Sequence, residues 1–278
     1  MRHIVLRLPA AAKINLALAV GPKRPDGYHD VATVLQRIDI CDDIELRPGP
    51  ALDVVGFAED TLIRRALERL AGEAGVEPRW HARLEKRIPI AAGLGGGSAD
   101  AAAALVLANR TLPAPFPPQQ LLRLAAEIGS DVPFFLEPGP KLVEGRGEAL
   151  APLELPQDFW VLVAIERDAK KRATADVYAR FDELRAAEGF EERRAAVRTV
   201  ATLCRRPRDL ARLPPNDLAE AAGGSALPAL LLEAGAFRAD LTGAGPSTYG
   251  LFHRREQAEA ARKRLPSGTR VWITAPVW

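Results

Sequence analysis

The sequence predicts an α+β fold in two parts, on three observations. Strand-like and helix-like periodicities interleave in both halves of the chain, a proline-punctuated stretch from Pro152 to Asp158 separates the halves, and the balance of 47% hydrophobic to 27% charged residues is that of a packed globular protein. At 278 residues the chain has the length of two ordinary domains. The expected division is 1–155 and 156–278.

The elements follow in order. From Ala12 to Val20, Ile14, Leu16, Leu18 and Val20 alternate with Lys13, Asn15, Ala17 and Ala19, a strand period that sets Lys13 and Asn15 on one face. Pro25-Asp26-Gly27 is a turn, and Val31 to Ile40 a second β-prone segment. Thr61 to Ala71 has helical spacing in Leu62, Ala66, Leu67 and Leu70, with Gly72 as its stop. Trp80 to Ile88 reads as a strand, Ser98 to Asn109 as a helix, and Pro113 to Pro118 as a connection to a further helix that ends at Ile128. Val132 to Leu136 is expected as a buried strand. In the second half, Trp160 to Ile165 is a strand, and Ala175 to Ala187 and Glu191 to Leu203 are amphipathic helices. After the Pro214-Pro215 break, Ala226 to Gly235 is a helix, Leu241 to Phe252 a glycine turn entering a strand, Arg255 to Leu265 a helix, and Arg270 to Thr274 the last strand.

Charge excludes some functions. A net charge of +2, from 38 basic and 36 acidic side chains, creates no overall field for nucleic acid or an anionic membrane, so any anion site is local. Lys13 and Asn15 interrupt the apolar stretch from Ala10 to Val20, which argues against a signal peptide, and no run of about 18 apolar residues occurs. Two cysteines, Cys41 and Cys204, form neither a disulfide framework nor a zinc site. A cytoplasmic protein with no nucleic-acid and no membrane partner is expected, a monomer or weak homodimer. His3, His81 and His253 have no ligand pattern around them, and Lys170-Lys171-Arg172 reads as solvated surface.

The most informative segment runs Pro89-Ile90-Ala91-Ala92-Gly93-Leu94-Gly95-Gly96-Gly97-Ser98-Ala99 into an alanine-rich helix. Four glycines in five positions let backbone N–H groups approach an anion, and the helix that follows contributes its positive end. That is a phosphate cradle. It lacks the Gly-Lys-Ser/Thr of a Walker loop and the spacing of a dinucleotide turn. Ser98 is placed to cap the helix, to donate to a phosphate oxygen or to ligate a metal. Asp131, in Gly129-Ser-Asp-Val-Pro133, lies beside an apolar run where an unpaired carboxylate is costly, and Lys13 is its natural partner. Taken alone, either residue also reads as a turn cap or a snorkelling lysine.

In chain order, Ala12-Lys-Ile-Asn-Leu16, Pro25-Asp-Gly-Tyr-His29, Gly93-Leu-Gly-Gly-Gly-Ser98, Gly129-Ser-Asp-Val-Pro133, Glu144-Gly-Arg-Gly-Glu148, Asn216-Asp217 and Leu241-Thr-Gly-Ala-Gly245 resemble the galactokinase, homoserine kinase, mevalonate kinase and phosphomevalonate kinase superfamily. Within it they are most similar to the kinases of 4-diphosphocytidyl-2-C-methyl-D-erythritol. The resemblance implies a two-domain small-molecule kinase fold, with an N-terminal ATP-binding domain and a C-terminal ferredoxin-like domain. It implies transfer of the γ-phosphoryl group of ATP, with Mg²⁺, to the 2-hydroxyl of that cytidine diphosphate-linked substrate, a step of non-mevalonate isoprenoid precursor synthesis. Lys13 and Asp131 become the catalytic pair, Pro89 to Ala99 the ATP loop, Asn15, Tyr28 and His29 the acceptor site, and Ser98 a metal ligand. The chain departs from the pattern at Ala91-Ala92, where glycines are common, and at Ala99, where a second serine is common. Another kinase of the superfamily, or a non-catalytic nucleotide-binding regulator on the same scaffold, are the alternatives.

Overall fold

The computed structural model describes residues 5–57, 62–169 and 172–278. In chain order the elements are β1 (Leu6–Lys23), β2 (His29–Pro48), β3 (Asp53–Val55), α1 (Leu62–Ala74), β4 (Trp80–Glu85), α2 (Gly96–Asn109), α3 (Pro118–Ile128), β5 (Lys141–Gly145), β6 (Ala149–Pro152), β7 (Trp160–Ile165), α4 (Thr174–Glu183), α5 (Phe190–Leu203), α6 (Leu227–Glu233), β8 (Arg238–Leu241), β9 (Thr248–Phe252), α7 (Arg255–Arg262), β10 (Arg270–Thr274) and β11 (Pro276–Val277). They form two compact units, one of residues 1–12, 40–90 and 95–138, the other of 13–39, 91–94 and 139–278.

In the first unit, β3 runs parallel to β4, and β4 antiparallel to the Asp43–Pro48 end of β2. α1, α2 and α3 supply the apolar layer. α2 is buried nearly all round, at Ala99, Ala101 to Leu105, Leu107 and Ala108. Alanine suits both demands, since it has the highest helix propensity and its small side chain lets neighbouring elements approach closely. Ile63, Ala66, Leu67 and Leu70 of α1 bury against it. α1 runs past the expected stop at Gly72 and ends at Gly75, whose φ of 64° is the left-handed value that closes a helix. Thr61, expected in this helix, lies outside the described residues.

One expected element is replaced. Pro133–Leu136 is a 3₁₀ turn and not a strand, with Phe135 N–H donating to Val132 C=O at 3.1 Å. Pro133 has no N–H for a sheet ladder but suits the first position of a tight helical turn, and this outweighs the apolar run that suggested a strand.

In the second unit, the Val31–Leu35 stretch of β2 pairs antiparallel with β5, β5 with β6, and β11 with β2 at Ile38 and Arg37. A separate four-stranded antiparallel sheet has the order β10-β7-β9-β8. Numbered from β7, that is 4-1-3-2 in a β-α-β-β-α-β chain order, the ferredoxin-like arrangement expected for the C-terminal part. Leu162, Ala164, Leu227, Leu231, Phe252, Ala258 and Ala261 form its core. Among the described residues no helix is long and apolar enough to cross a membrane.

Candidate active site

The two halves of the glycine loop, 91–94 and 95–98, do different work and are described separately. In the second unit, Lys13 N–H donates to Leu94 C=O at 2.9 Å, and Ser247 N–H donates to Ala92 C=O at 3.3 Å. Gly93, with φ 78°, lies against the Thr242-Gly-Ala-Gly245 turn so closely that a Cβ there would stand 2.4 Å from the Thr242 carbonyl oxygen. Its glycine is therefore demanded by backbone packing as well as by conformation. Ala91 has φ 61°, a strained value for a side-chain-bearing residue at a position where the family resemblance anticipates glycine.

The other half opens α2. Gly95, at φ 70°, precedes the helix, and no side chain caps it. The first helical bond is Ala99 N–H to Gly95 C=O, so among the described residues the N–H groups of Gly96, Gly97 and Ser98 make no hydrogen bond, and neither does the Ser98 hydroxyl. Three open N–H groups at the positive end of a fourteen-residue helix are the chemistry that can hold an anion.

Lys13 and Asn15 emerge from β1 on one face, as their spacing requires, and both are buried. Lys13 Nζ donates to Asn15 Oδ1 at 2.7 Å, Asn15 Nδ2 to Thr33 Oγ1 at 2.9 Å, and Asn15 N–H to Thr242 Oγ1 at 2.9 Å. A Cβ on Gly243 would stand 3.4 Å from Lys13 Nζ and 3.2 Å from the Gly93 carbonyl oxygen. This unit thus gathers Lys13, Asn15, Thr33, Thr242 and the first half of the glycine loop. Thr33 and Thr242 escaped the sequence reading, although Leu241-Thr-Gly-Ala-Gly245 carried the signal. Asp131 belongs to the first unit, half-buried in the turn between α3 and the 3₁₀ segment.

Tyr28 and His29 differ in setting. Gly27, with φ 86°, turns the chain so that Tyr28 is 54% exposed, its ring under the Arg146 guanidinium at 5.5 Å. His29 is buried, with Nε2 2.8 Å from Asp182 Oδ1 and its ring 4.9 Å from the Tyr178 ring. Both partners come from α4, whose residues the sequence reading assigned no role.

A buried charge cluster also went unread. Lys86 Nζ lies 2.6 Å from Asp42 Oδ2 and 2.6 Å from Asp100 Oδ2, and both carboxylates are fully buried. Asp42 Oδ1 also accepts the N–H groups of Arg87 and Ile88. Burial pushes the Asp100 carboxyl up to about 8, against the pull of Lys86. The cluster adjoins the glycine loop, since a Cβ on Gly96 would stand 3.0 Å from Lys86 Nζ. In sequence, Glu85-Lys86-Arg87 looks like solvent-facing charge. The signal was Asp100, alone among alanines in a buried helix, where a carboxyl needs a partner.

Among the described residues no three His, Cys, Asp or Glu side chains gather as a metal site. His81 is bound to Asp53, and His253 stacks on Phe237 and faces Arg208. His3, Lys170 and Lys171 lie outside the described residues, and Arg172 is exposed.

Residues 61–139 match the family model of the GHMP kinases N terminal domain, and residues 226–269 that of the GHMP kinases C terminal. The chain is 41% identical over 275 residues to a 4-diphosphocytidyl-2-C-methyl-D-erythritol kinase of Anaeromyxobacter sp. (strain K), covering 94% of this chain and 84% of that protein. It is 39% identical over 285 residues to the same kinase of Pelotomaculum thermopropionicum, covering 94% of each. A crystal structure of 4-(cytidine 5'-diphospho)-2C-methyl-D-erythritol kinase matches 98% of this chain and 100% of its own, with 28% identity and a TM-score of 0.78. With identity this high along nearly the whole chain, and with the glycine loop, the Lys13–Asn15 strand and the ferredoxin-like sheet all in place, the chain belongs to the 4-diphosphocytidyl-2-C-methyl-D-erythritol kinase family of the GHMP kinases.

Proposed function

We propose that this chain, an ATP-dependent kinase by family, transfers the γ-phosphoryl group of ATP to the 2-hydroxyl of 4-diphosphocytidyl-2-C-methyl-D-erythritol, a cytoplasmic step of isoprenoid precursor synthesis. The observation that carries the ATP side is the α2 N-terminus, where among the described residues three N–H groups are unbonded and no side chain caps the helix. Pro89 to Ala99 hold the nucleotide, those N–H groups taking phosphate oxygens. The acceptor hydroxyl oxygen attacks the γ-phosphorus, the bond to the β-bridging oxygen breaks, ADP leaves, and Asp131 takes the hydroxyl proton. Lys13, held by Asn15, steadies charge on the transferring group, so catalysis is positioning and electrostatics with no covalent enzyme intermediate. The Ser98 hydroxyl is a hard oxygen donor with no hydrogen bond among the described residues, and such a donor suits Mg²⁺. When bound, that ion neutralises phosphate charge. Tyr28 stacks on the cytosine and His29 meets its polar edge. In this division of labour residues 1–155 bind ATP and 156–278 complete the enzyme, working as a monomer or weak homodimer.

The test is ADP release with the cytidine-bearing acceptor against galactose, homoserine and mevalonate, on the parent protein and on Asp131→Asn and Lys13→Met. Turnover with the cytidine acceptor alone is expected, falling on the order of 10²–10⁴-fold in each variant while ATP still binds. The double mutant should lose far less than the product of the single losses, because both residues serve one transition state. Variants that melt earlier but keep turnover per folded molecule would reduce Asp131 to a turn cap.

A further inference from the structure

We infer that Asn216 is a positioning residue for phosphoryl transfer: its side-chain amide clamps the Thr242-Gly243 turn and so holds Lys13 and Asn15 in place. The inference rests on the reading above that Lys13 serves the reaction.

Asn216 is buried, and both N–H donors and the oxygen of its side chain are engaged. Nδ2 donates to Leu241 C=O at 3.1 Å and to Gly243 C=O at 2.8 Å, while Oδ1 accepts Leu218 N–H at 2.9 Å. These partners fix which way the amide points, because the reverse orientation would set its oxygen against carbonyl oxygens and its nitrogen against an N–H. The clamp is itself held on two sides. Asn216 N–H donates to Asp240 Oδ2 on β8 at 2.9 Å, and the residue bridges to Leu18 of β1, where Asp217 N–H donates to Leu18 C=O at 2.9 Å. One short segment therefore grips both the strand that carries Lys13 and the turn that faces it.

The turn passes that constraint to the site. Thr242 Oγ1 accepts Asn15 N–H at 2.9 Å, Asn15 Oδ1 accepts Lys13 Nζ at 2.7 Å, and a Cβ on Gly243 would stand 3.4 Å from Lys13 Nζ. On its other side the turn is tied down by Thr242 N–H, which donates to Ser247 C=O at 2.9 Å. Gly243 and Gly245 have φ of 56° and 74°, and glycine backbone is the most permissive there is, so the Gly243 end keeps its place only where its carbonyl is held. Displacement of the groups around a reacting centre by about 1 Å can cost on the order of 10²-fold in rate.

ADP release and melting temperature are measured on the parent protein, on Asn216→Asp, Asn216→Ala and Thr242→Val, and on Leu227→Ala as a control from the core of the four-stranded sheet. Asn216→Asp keeps the oxygen that accepts Leu218 N–H but turns a carboxylate oxygen toward the Leu241 and Gly243 carbonyls, and Asn216→Ala removes the amide without adding charge. Expected in both is a fall in kcat per folded molecule on the order of 10²-fold, with the KM values for ATP and acceptor within about threefold of the parent. Thr242→Val spares the clamp, breaks the contact with Asn15 and should lose kcat in the same way. Leu227→Ala should lower Tm and keep kcat per folded molecule. An unchanged kcat in the folded Asn216 variants overturns the inference, and so does an unchanged kcat in Thr242→Val, since the turn then delivers nothing to Asn15. Added to Lys13→Met, Asn216→Asp should cost almost nothing more, and a full multiplicative loss overturns the inference as well. If Lys13→Met alone leaves kcat intact, the reading of Lys13 falls and takes this inference with it. If Lys13→Met lowers kcat while the Asn216 variants keep it, only the role of Asn216 is lost.

Discussion

Individual glycines in one loop are required for different reasons, and substitutions separate them. A Cβ at Gly93 would lie 2.4 Å from a backbone oxygen that cannot swing away, at a left-handed φ. Gly93→Ala should therefore destabilise the fold by roughly 2–5 kcal/mol, from left-handed strain plus overpacking, visible as a fall in Tm. At Gly96 the nearest atoms are Lys86 Nζ at 3.0 Å and Ile88 Cγ2 at 3.1 Å, ends of side chains, and no positive φ is involved. Gly96→Val should fold, and should raise the KM for ATP by about tenfold through obstruction of the helix N-terminus. A normal KM in that folded variant would remove Gly96 from the phosphate site. Ala91 is the reverse case: Ala91→Gly relieves about 1–2 kcal/mol of left-handed strain and adds about 0.4–1 kcal/mol of unfolded-state entropy, for a net gain of roughly 0.5–1 kcal/mol in a urea titration. The glycine crowding was legible in the sequence because only glycine permits such conformations. Which glycine is demanded by packing and which leaves the helix N-terminus open was not, because the atoms facing Gly93 lie about 150 residues later in the chain.

At the scale of an element, α2 carries both an uncapped N-terminus and Asp100 of the buried Asp42–Lys86–Asp100 cluster. One ammonium between two buried carboxylates leaves a net negative charge unless one carboxyl keeps a proton, and Asp100 is the one pushed up, to about 8. Its folded pKa lies above its unfolded value of about 3.9, so its contribution to stability is complete below that value and is lost as the pH rises to about 8. Over this window it should lower stability by no more than about 1.4 kcal/mol per pH unit. Asp100→Asn should flatten that slope in denaturant titrations at pH 5, 6.5 and 8, while leaving the fold intact. Asp42→Asn should be the more damaging change at every pH, because Asp42 also holds two backbone N–H groups. Identical slopes in the parent and Asp100→Asn would place the proton elsewhere. Local patterns told most of the element story: the alanine run became α2 and the apolar run at Trp160 became β7. They failed where a single residue reversed the pattern, as Pro133 did. They also failed at the β5–β6 hairpin, whose two short strands flank Glu144-Gly-Arg-Gly-Glu148 and pair through contacts no local window contains.

For the whole molecule, the chain order of its parts and the way they pack are different divisions. The ferredoxin-like sheet and its core lie wholly within 156–278. The same compact unit nevertheless takes in 13–39, and much of its polar interior depends on that segment. Tyr249, buried and with its hydroxyl pushed up to about 12 by that burial, reaches Leu16 C=O at 3.3 Å. Asp217 accepts Val20 N–H at 2.8 Å, and its own N–H donates to Leu18 C=O at 2.9 Å. Leu18, Val20 and Val31 share an apolar cluster with Val177, Phe181, Leu218 and Ala221. A fragment of residues 156–278 would keep one core, lose half of the other, and leave buried polar groups without partners, at roughly 1–3 kcal/mol for each. Against a net stability of about 5–15 kcal/mol for a domain, that is enough to abolish cooperative folding. The expected product is a compact state with helix and strand signals in far-UV circular dichroism, no near-UV signal, dye binding to exposed apolar surface and no sharp melting transition. Mixing it with residues 1–155 should restore the near-UV signal, since the missing partners return. A sharp melt of the isolated fragment within about 5 °C of the full chain, a shift worth about 1 kcal/mol in a domain of this size, would mean that the β1 and β2 contacts add little and that 156–278 folds as an independent domain.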